Sequence, residues 1–283
     1  MVKRLILLLS LAAVSCGKLD MANMFLPLAE DANTRVLESM AWNKSAGVTT
    51  LSVPSDSYRW YVCADIHVDD TKPARFQRMV DAERTDSESF FYQVLGDMLF
   101  GTEHLDLVSD IVYAPGNDPC FVLAGNHDIY FGGWDAWKAV FHSSTYYYYV
   151  QTPSYRDLYI MLDSANGTLG EVQLSWLDSV LENQRPGCRH CIVSVHTNIL
   201  RTDASQFPST NFTMEETYRL LDAMSSAGVE MMIAGHDHER DVTRYNGVTY
   251  ITLDAIGERF PTASYMVVNM GQSIDYQFVD ADD

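Results

Sequence analysis

Positive charge is what this sequence has least of. Its 283 residues carry 19 Lys and Arg against 38 Asp and Glu, a net charge of −19. A chain so short of cations argues against nucleic acid or an anionic membrane face as its main partner. It has no apolar run of the about 20 residues that a bilayer-spanning helix needs, no internal repeat and no long low-complexity stretch. Cysteine is scarce, at five. Cys188 and Cys191 have C-x-x-C spacing, but no second pair completes a four-thiolate metal site. They read as two ordinary cysteines at a strand entry, and Cys63 and Cys120 as buried, inert thiols in apolar runs. Apolar residues are plentiful at 47%, enough for the core of one large α/β domain or two small ones.

The first residues have the layout of an export signal: basic Lys3 and Arg4, an apolar run from Leu5 to Val14, then Ser15-Cys16-Gly17. Ala13-Val14-Ser15-Cys16 resembles a bacterial lipoprotein lipobox, with Ala13 where Leu is more usual. The resemblance implies cleavage before Cys16, a lipid on Cys16 that holds the protein to a membrane, and a place on the extracytoplasmic side of a bacterial cell envelope. Loss of Lys3 and Arg4 takes the net charge from −19 to −21. The expected division is a signal at 1–15, a lipid-anchored tether with one short helix at 16–57, and the functional domain at 58–283. The helix runs over Glu30–Trp42, with Val36, Leu37, Met40 and Ala41 at helical spacing; Gly47–Ser57 reads as loop.

From residue 58 the pattern alternates. Strand-like runs are Arg59–Ala64, Phe90–Leu95, Pro119–Ala124, Leu158–Leu162, Cys191–Val195, Val229–Ala234, Val248–Leu253, Tyr265–Met270 and Ile274–Val279. The aromatic run Tyr146–Tyr149 also reads as strand. Helical stripes lie at Pro73–Glu83, Thr102–Val112 and Trp134–Phe141. Two more follow the capping-box pairs Thr168/Glu171 and Thr213/Glu216. Alternation argues for parallel strands with helices outside, and the strand-rich end for antiparallel additions. The expected class is α/β, two mixed sheets with helices on both outer faces.

Five short motifs each follow an apolar run directly: Asp65-Ile66-His67, Gly96-Asp97, Gly125-Asn126-His127-Asp128, Val195-His196 and Gly235-His236-Asp237-His238. Ligands collect at the carboxyl ends of strands in open α/β sheets, so the five converge on one edge although far apart in sequence. Asp65, Asp97, Asn126, His67, His196, His236 and His238 offer oxygen and nitrogen donors suited to Mn, Fe, Zn or Ni rather than Ca. Asp97 can offer one oxygen to each of two ions. His127 can give or take a proton near neutral pH, and Asp128 can accept a hydrogen bond from its ring. Buried together without a cation, these groups would be costly.

In type and order these motifs resemble the calcineurin-like metallophosphoesterase superfamily over about residues 58 to 260. Tyr147–Tyr149, Leu162-Asp163-Ser164 and Gln173-Leu174-Ser175-Trp176-Leu177 support the likeness. The resemblance implies a four-layer α/β/β/α sandwich and two divalent or trivalent metal ions, one held by Asp65, His67, Asp97 and His238, the other by Asp97, Asn126, His196 and His236. It implies catalytic roles for His127, facing the phosphoryl group and leaving oxygen, and for Asp128, supporting His127. The expected reaction is hydrolysis of a small phosphate mono- or diester by a hydroxide bridging ions about 3.5–4 Å apart. The other class weighed is a metal-binding lipoprotein of this fold without turnover. Met98-Leu99-Phe100 and Thr197-Asn198 depart from the family pattern, which bears on pocket shape.

Other candidates receive structural readings. His104, His142 and His190 fall outside the motifs. Asp163 reads as a helix cap or turn, Arg240 and Arg244 as solvated ion pairs, and residues 200–212, with Phe207 and Phe212, as a loop shaping the pocket.

Overall fold

The computed structural model describes residues 29–99, 103–200 and 211–283. The signal-like segment with Cys16, and Phe207, lie outside the described residues. Among the described residues no helix is long and apolar enough to cross a membrane.

In chain order the strands are β1 (Thr50–Ser52), β2 (Tyr58–Cys63), β3 (Ser89–Leu95), β4 (Cys120–Leu123), β5 (Tyr146–Gln151), β6 (Arg156–Met161), β7 (Cys191–Ser194), β8 (Met231–Ala234), β9 (Asp241–Tyr245), β10 (Val248–Thr252), β11 (Ser264–Met270) and β12 (Ile274–Asp280). The helices are α1 (Ala32–Ala46), α2 (Ala74–Thr85), α3 (Leu105–Val112), the one-turn α4 (Asn126–Ile129), α5 (Gly133–Phe141), α6 (Gly170–Asn183) and α7 (Met214–Ser226). They form a seven-stranded sheet, β1-β5-β6-β7-β8-β10-β9, and a five-stranded sheet, β12-β11-β2-β3-β4. The expectation of two mixed sheets between helices holds.

Alternation along each strand sorts side chains between layers. In β2, Trp60 and Val62 enter the core between the sheets, while Tyr61 and Cys63 face α2, α3 and α5. The tyrosine run behaves likewise. Tyr148 packs between the sheets, its ring 3.6 Å from that of Phe121, and Tyr149 joins the outer cluster with α6 and α7. β2, β3 and β4 are mutually parallel, and so are β6, β7, β8 and β10. Each set delivers its carboxyl ends to one edge. A parallel bridge between Ala64 and Ala255 joins the sheets there.

Three local expectations give way. Gly47–Ser57, read as loop, contains β1, which pairs in parallel with β5. β9 escaped notice because it is exposed along its length and so shows no apolar alternation. The Thr168/Glu171 box does not form: α6 starts at Gly170 without a side-chain cap. Thr168 instead donates to Glu216 Oε2 at 2.8 Å, and Leu169 N–H donates to Glu216 Oε1 at 2.6 Å. Glu216 is thereby drawn from its own capping box into a link between α6 and α7, and only the Thr213 half of that box remains.

The helix expected within the tether, before residue 58, packs on the rest of the protein. α1 packs on α6 and buries Arg35 against Asp163, with Nε–Oδ2 at 2.9 Å and Nη2–Oδ1 at 2.7 Å. Trp134 of α5 donates to Glu38 at 2.7 Å. Residues 32–52 belong to the packed body.

Candidate metal centre

The residues at the strand ends leave regular backbone geometry. Asp65, His67, Asp97, His236 and His238 all have positive φ, from 45° to 72°. Left-handed backbone at non-glycine residues is strained and clusters at functional sites. Two glycines give the motifs room. A Cβ on Gly125 would stand 2.2 Å from Asp97 Oδ1, and one on Gly235 would stand 2.6 Å from Asp65 Oδ2.

Around this edge the donors fall into two groups. Asp65, His67, Asp97 and His238 offer atoms all within 4.8 Å of one another, and so do Asp97, His196 and His236. His67 Nε2 lies 3.0 Å from His238 Nε2, 3.7 Å from Asp65 Oδ1 and 3.5 Å from Asp97 Oδ2. His196 Nε2 lies 3.4 Å from Asp97 Oδ1, 3.2 Å from His236 Nδ1 and 3.0 Å from Asn126 Oδ1. Asn126 completes the second group, and Asp97 turns one oxygen to each.

The chemistry of the second group fits a cation. His196 Nδ1 is 2.8 Å from the Leu95 carbonyl and donates to it. A neutral His196 ring then presents an Nε2 lone pair to two more acceptors, Asp97 Oδ1 and Asn126 Oδ1. Asn126 Nδ2 donates to the Tyr130 hydroxyl at 2.6 Å, which leaves Oδ1 facing His196. In the first group, Asp65 Oδ1 is buried without a hydrogen-bond partner. Spacings near 3 Å are those of neighbouring ligands each about 2.1 Å from a common ion.

Electrostatics agree. Burial lowers the His67 pKa to about 4, against the pull of Asp97 and Asp65, and so favours the neutral ring that binds metal. Burial also opposes charge on His196, but Asp97 and Asp65 outweigh it and push its pKa up to about 10. Asp97 is held well below the usual carboxylate range because His196 and His127 outweigh its burial. The centre thus attracts positive charge, which metal ions would supply in place of protons.

One expected contact is absent. Asp128 Oδ1 accepts from Met98 N–H at 2.9 Å and Leu99 N–H at 3.1 Å, and Oδ2 accepts from Gly125 N–H at 2.8 Å. Among the described residues it makes no hydrogen bond to the His127 ring. Asp128 instead ties the loop after β3 to the loop after β4, which sets Asp97 beside Asn126. Burial and the Asp97 charge raise its pKa to about 7, although the Gly125 and Leu99 N–H groups oppose them. His127 donates its backbone N–H to Asp97 Oδ1 at 2.8 Å. Its half-buried ring lies 4.7 Å from the His67 ring.

Sequence reasoning missed several supporting residues. Ser164 Oγ accepts from His196 N–H at 3.0 Å and Thr197 N–H at 2.9 Å. Its neighbour Asp163 makes the expected turn, accepting from Ala165 N–H at 3.1 Å, and is also the buried partner of Arg35. The visible signal was Leu162-Asp163-Ser164 at a strand end; its partner lies 128 residues earlier. Tyr130 was not singled out.

The other candidates lie outside the donor groups. His104 meets Asp70 at 3.0 Å, His142 stacks on Trp42 with ring centroids 3.9 Å apart, and His190 sits between Glu230 and the Gly271 carbonyl. Arg240 pairs with Asp254 at 2.7 Å. Phe212 is buried in the outer core cluster, and residues 201–210 of the expected loop lie outside the described residues. Cys63, Cys120, Cys188 and Cys191 are free thiols, and burial raises the pKa of each.

A family model described as calcineurin-like phosphoesterase matches residues 58–240. No curated protein matches the chain. Among solved structures, a dimetal phosphatase from Danio rerio is 16% identical with a TM-score of 0.63, covering 79% of this chain and 96% of that one. The purple acid phosphatase PPD1 from yellow lupin seeds is 14% identical with a TM-score of 0.63, covering 82% and 53%. GAP50, described as the anchor in the inner membrane complex of Plasmodium, is 16% identical with a TM-score of 0.60, covering 80% and 85%. At such identities the likeness is one of fold.

Proposed function

This chain belongs to the calcineurin-like phosphoesterase family, and on that premise we propose that it hydrolyses small phosphate mono- or diesters with two bound metal ions, on the extracytoplasmic side of a bacterial membrane. The observation that carries the reading is Asp97, one buried carboxylate set between two donor groups. Asp65, His67, Asp97 and His238 would hold one ion, and Asp97, Asn126, His196 and His236 the other. When bound, Mn, Fe, Zn or Ni supplies an activated water and positive charge for the phosphoryl oxygens.

The chain's own groups do the rest. His127 stands at the half-open side, its main chain fixed to Asp97, and its ring donates to the phosphoryl group or to the departing oxygen. Asp128 holds the two loops in register. Two divalent ions against Asp65 and Asp97 leave about +2 at the centre. Surface carboxylates beyond about 8 Å are screened at physiological salt, so an acidic protein can still gather a small anion. A polyanion such as nucleic acid is disfavoured. The export-signal layout and the lipobox resemblance at Cys16 support the location.

The test is hydrolysis of p-nitrophenyl phosphate and its bis ester, with Mn and after chelation, beside metal analysis of the same sample. No metal-dependent turnover of either ester would overturn the reading in favour of a binding lipoprotein. His127→Ala should keep its metal and lose about 10²–10⁴-fold in rate; loss of metal as well would refute the role given to it. Cys16→Ser should move the protein from the membrane to the soluble fraction of cells.

A further inference from the structure

At the start of α2 stands Arg75, buried although charged. A buried guanidinium needs acceptors for its donors. Nη1 donates to the Gly257 carbonyl at 2.8 Å and to the Phe260 carbonyl at 2.9 Å. Nε and Nη2 donate to the two oxygens of Asp282, just after β12, at 2.8 and 2.6 Å. The backbone N–H of Arg75 donates to Glu258 Oε1 at 2.6 Å. One residue thus closes the turn at 257–260.

That turn leans on the first donor group. Gly257 N–H donates to the Asp65 carbonyl at 3.1 Å, and Ile256 N–H to the Ala64 carbonyl at 3.0 Å. A Cβ on Gly257 would stand 2.4 Å from the Ile66 carbonyl oxygen, so the two loops touch directly. The Phe260 ring centroid lies 4.5 Å from that of His238 and 5.6 Å from that of His67. On its other side the Asp65 loop is held by β3: Asp65 N–H donates to the Gly96 carbonyl at 3.1 Å, and His67 N–H to the Asp97 carbonyl at 2.9 Å. Left-handed backbone at Asp65 and His67 persists only where its surroundings fix it from more than one direction.

Resting on the two-metal reading, we propose that Arg75 is a positioning residue for the first donor group. It acts through the turn, which seats Phe260 against His238 and Gly257 against Asp65, and so sets how tightly that half of the centre takes its ion. Arginine suits the place because its planar fork serves two carbonyls and a carboxylate at once, whereas lysine offers one compact head. Asp282 fixes the fork from behind and ties the turn to the end of β12.

The test is titration of the chelated full chain with Mn. The unaltered protein should take up two ions, and His238→Ala should identify which of them belongs to the first donor group. Arg75→Met should weaken that ion by about 10–100-fold, the scale for groups that orient metal ligands, and leave the other ion unchanged. Arg75→Lys, which keeps the charge and loses the fork, should weaken the same ion more mildly and decides the matter if Arg75→Met does not fold. Affinity at the unaltered level in either variant would overturn the proposal. Added to His238→Ala, Arg75→Met should not alter the ion that remains. Weakening of that ion would show that Arg75 supports the whole fold, and the positioning role would fall. No Mn uptake by the unaltered protein would overturn the two-metal reading itself, and the role of Arg75 with it.

Discussion

The two halves of the centre share Asp97 but not their surroundings. Asn126, His196 and His236 are buried, with His196 held at its ring by the Leu95 carbonyl and at its backbone by Ser164. Beside Ser164, Asp163 is locked by Arg35 from α1. The other half ends in His238, whose side chain is 34% exposed, and its His67 ring lies beside the half-buried ring of His127. Supports on every side make the closed half rigid before any ion arrives, whereas the open half leaves room for substrate. The closed half should hold its ion tightly, and the open half should exchange.

The most damaging way to break this contrast is to remove what both halves share. Asp97→Asn should abolish binding of both ions and cut p-nitrophenyl phosphate hydrolysis at least about 10³-fold. Retention of two ions by elemental analysis would refute the shared role. Next, the halves should separate. His238→Ala should keep about one ion per chain and regain part of its activity with added Mn, and His196→Ala should not. Equal rescue of both would mean the halves do not differ.

A change far from any donor tests the bracing. Arg35→Met strands the buried Asp163 charge, and removal of one partner of a buried pair costs about 3–5 kcal/mol. Urea unfolding should show that loss, and titration of the folded variant should show weaker binding at the closed half only. Normal metal binding would confine Arg35 to stability. The smallest effect contrasts the centre's carboxylates with a buried one that lacks imidazoles. Burial raises Glu83 from the ordinary 4.5 to about 7, against the donation from Ser89. Its folded pKa exceeds its unfolded one, so the native state holds the extra proton and stability falls as pH rises from 4.5 through 7. Glu83→Gln should flatten that slope and gain about 1 kcal/mol at pH 8. An unchanged slope in urea melts would place the proton elsewhere.

The contrast also marks what could be read from the chain alone. Every donor was visible because a motif of a few residues at the end of an apolar run is local, and parallel pairing then decides where those ends meet. The supports were not local. Nothing near Arg35 announces Asp163, and an arginine beside Val36 and Leu37 looks like any solvated helix residue. β1 and β9 hid for a related reason: three residues at a sheet edge, and a strand with no buried face, carry no periodic pattern. Proximity in sequence pairs Asp128 with His127, but three backbone amides take up its carboxylate instead.

Gly125 carries the last consequence. With Asp97 Oδ1 only 2.2 Å from where its Cβ would be, alanine there should leave every donor in place by name and still empty the centre. Position 125 thus tolerates no side chain at all, and a single methyl group could silence the molecule without touching its chemistry.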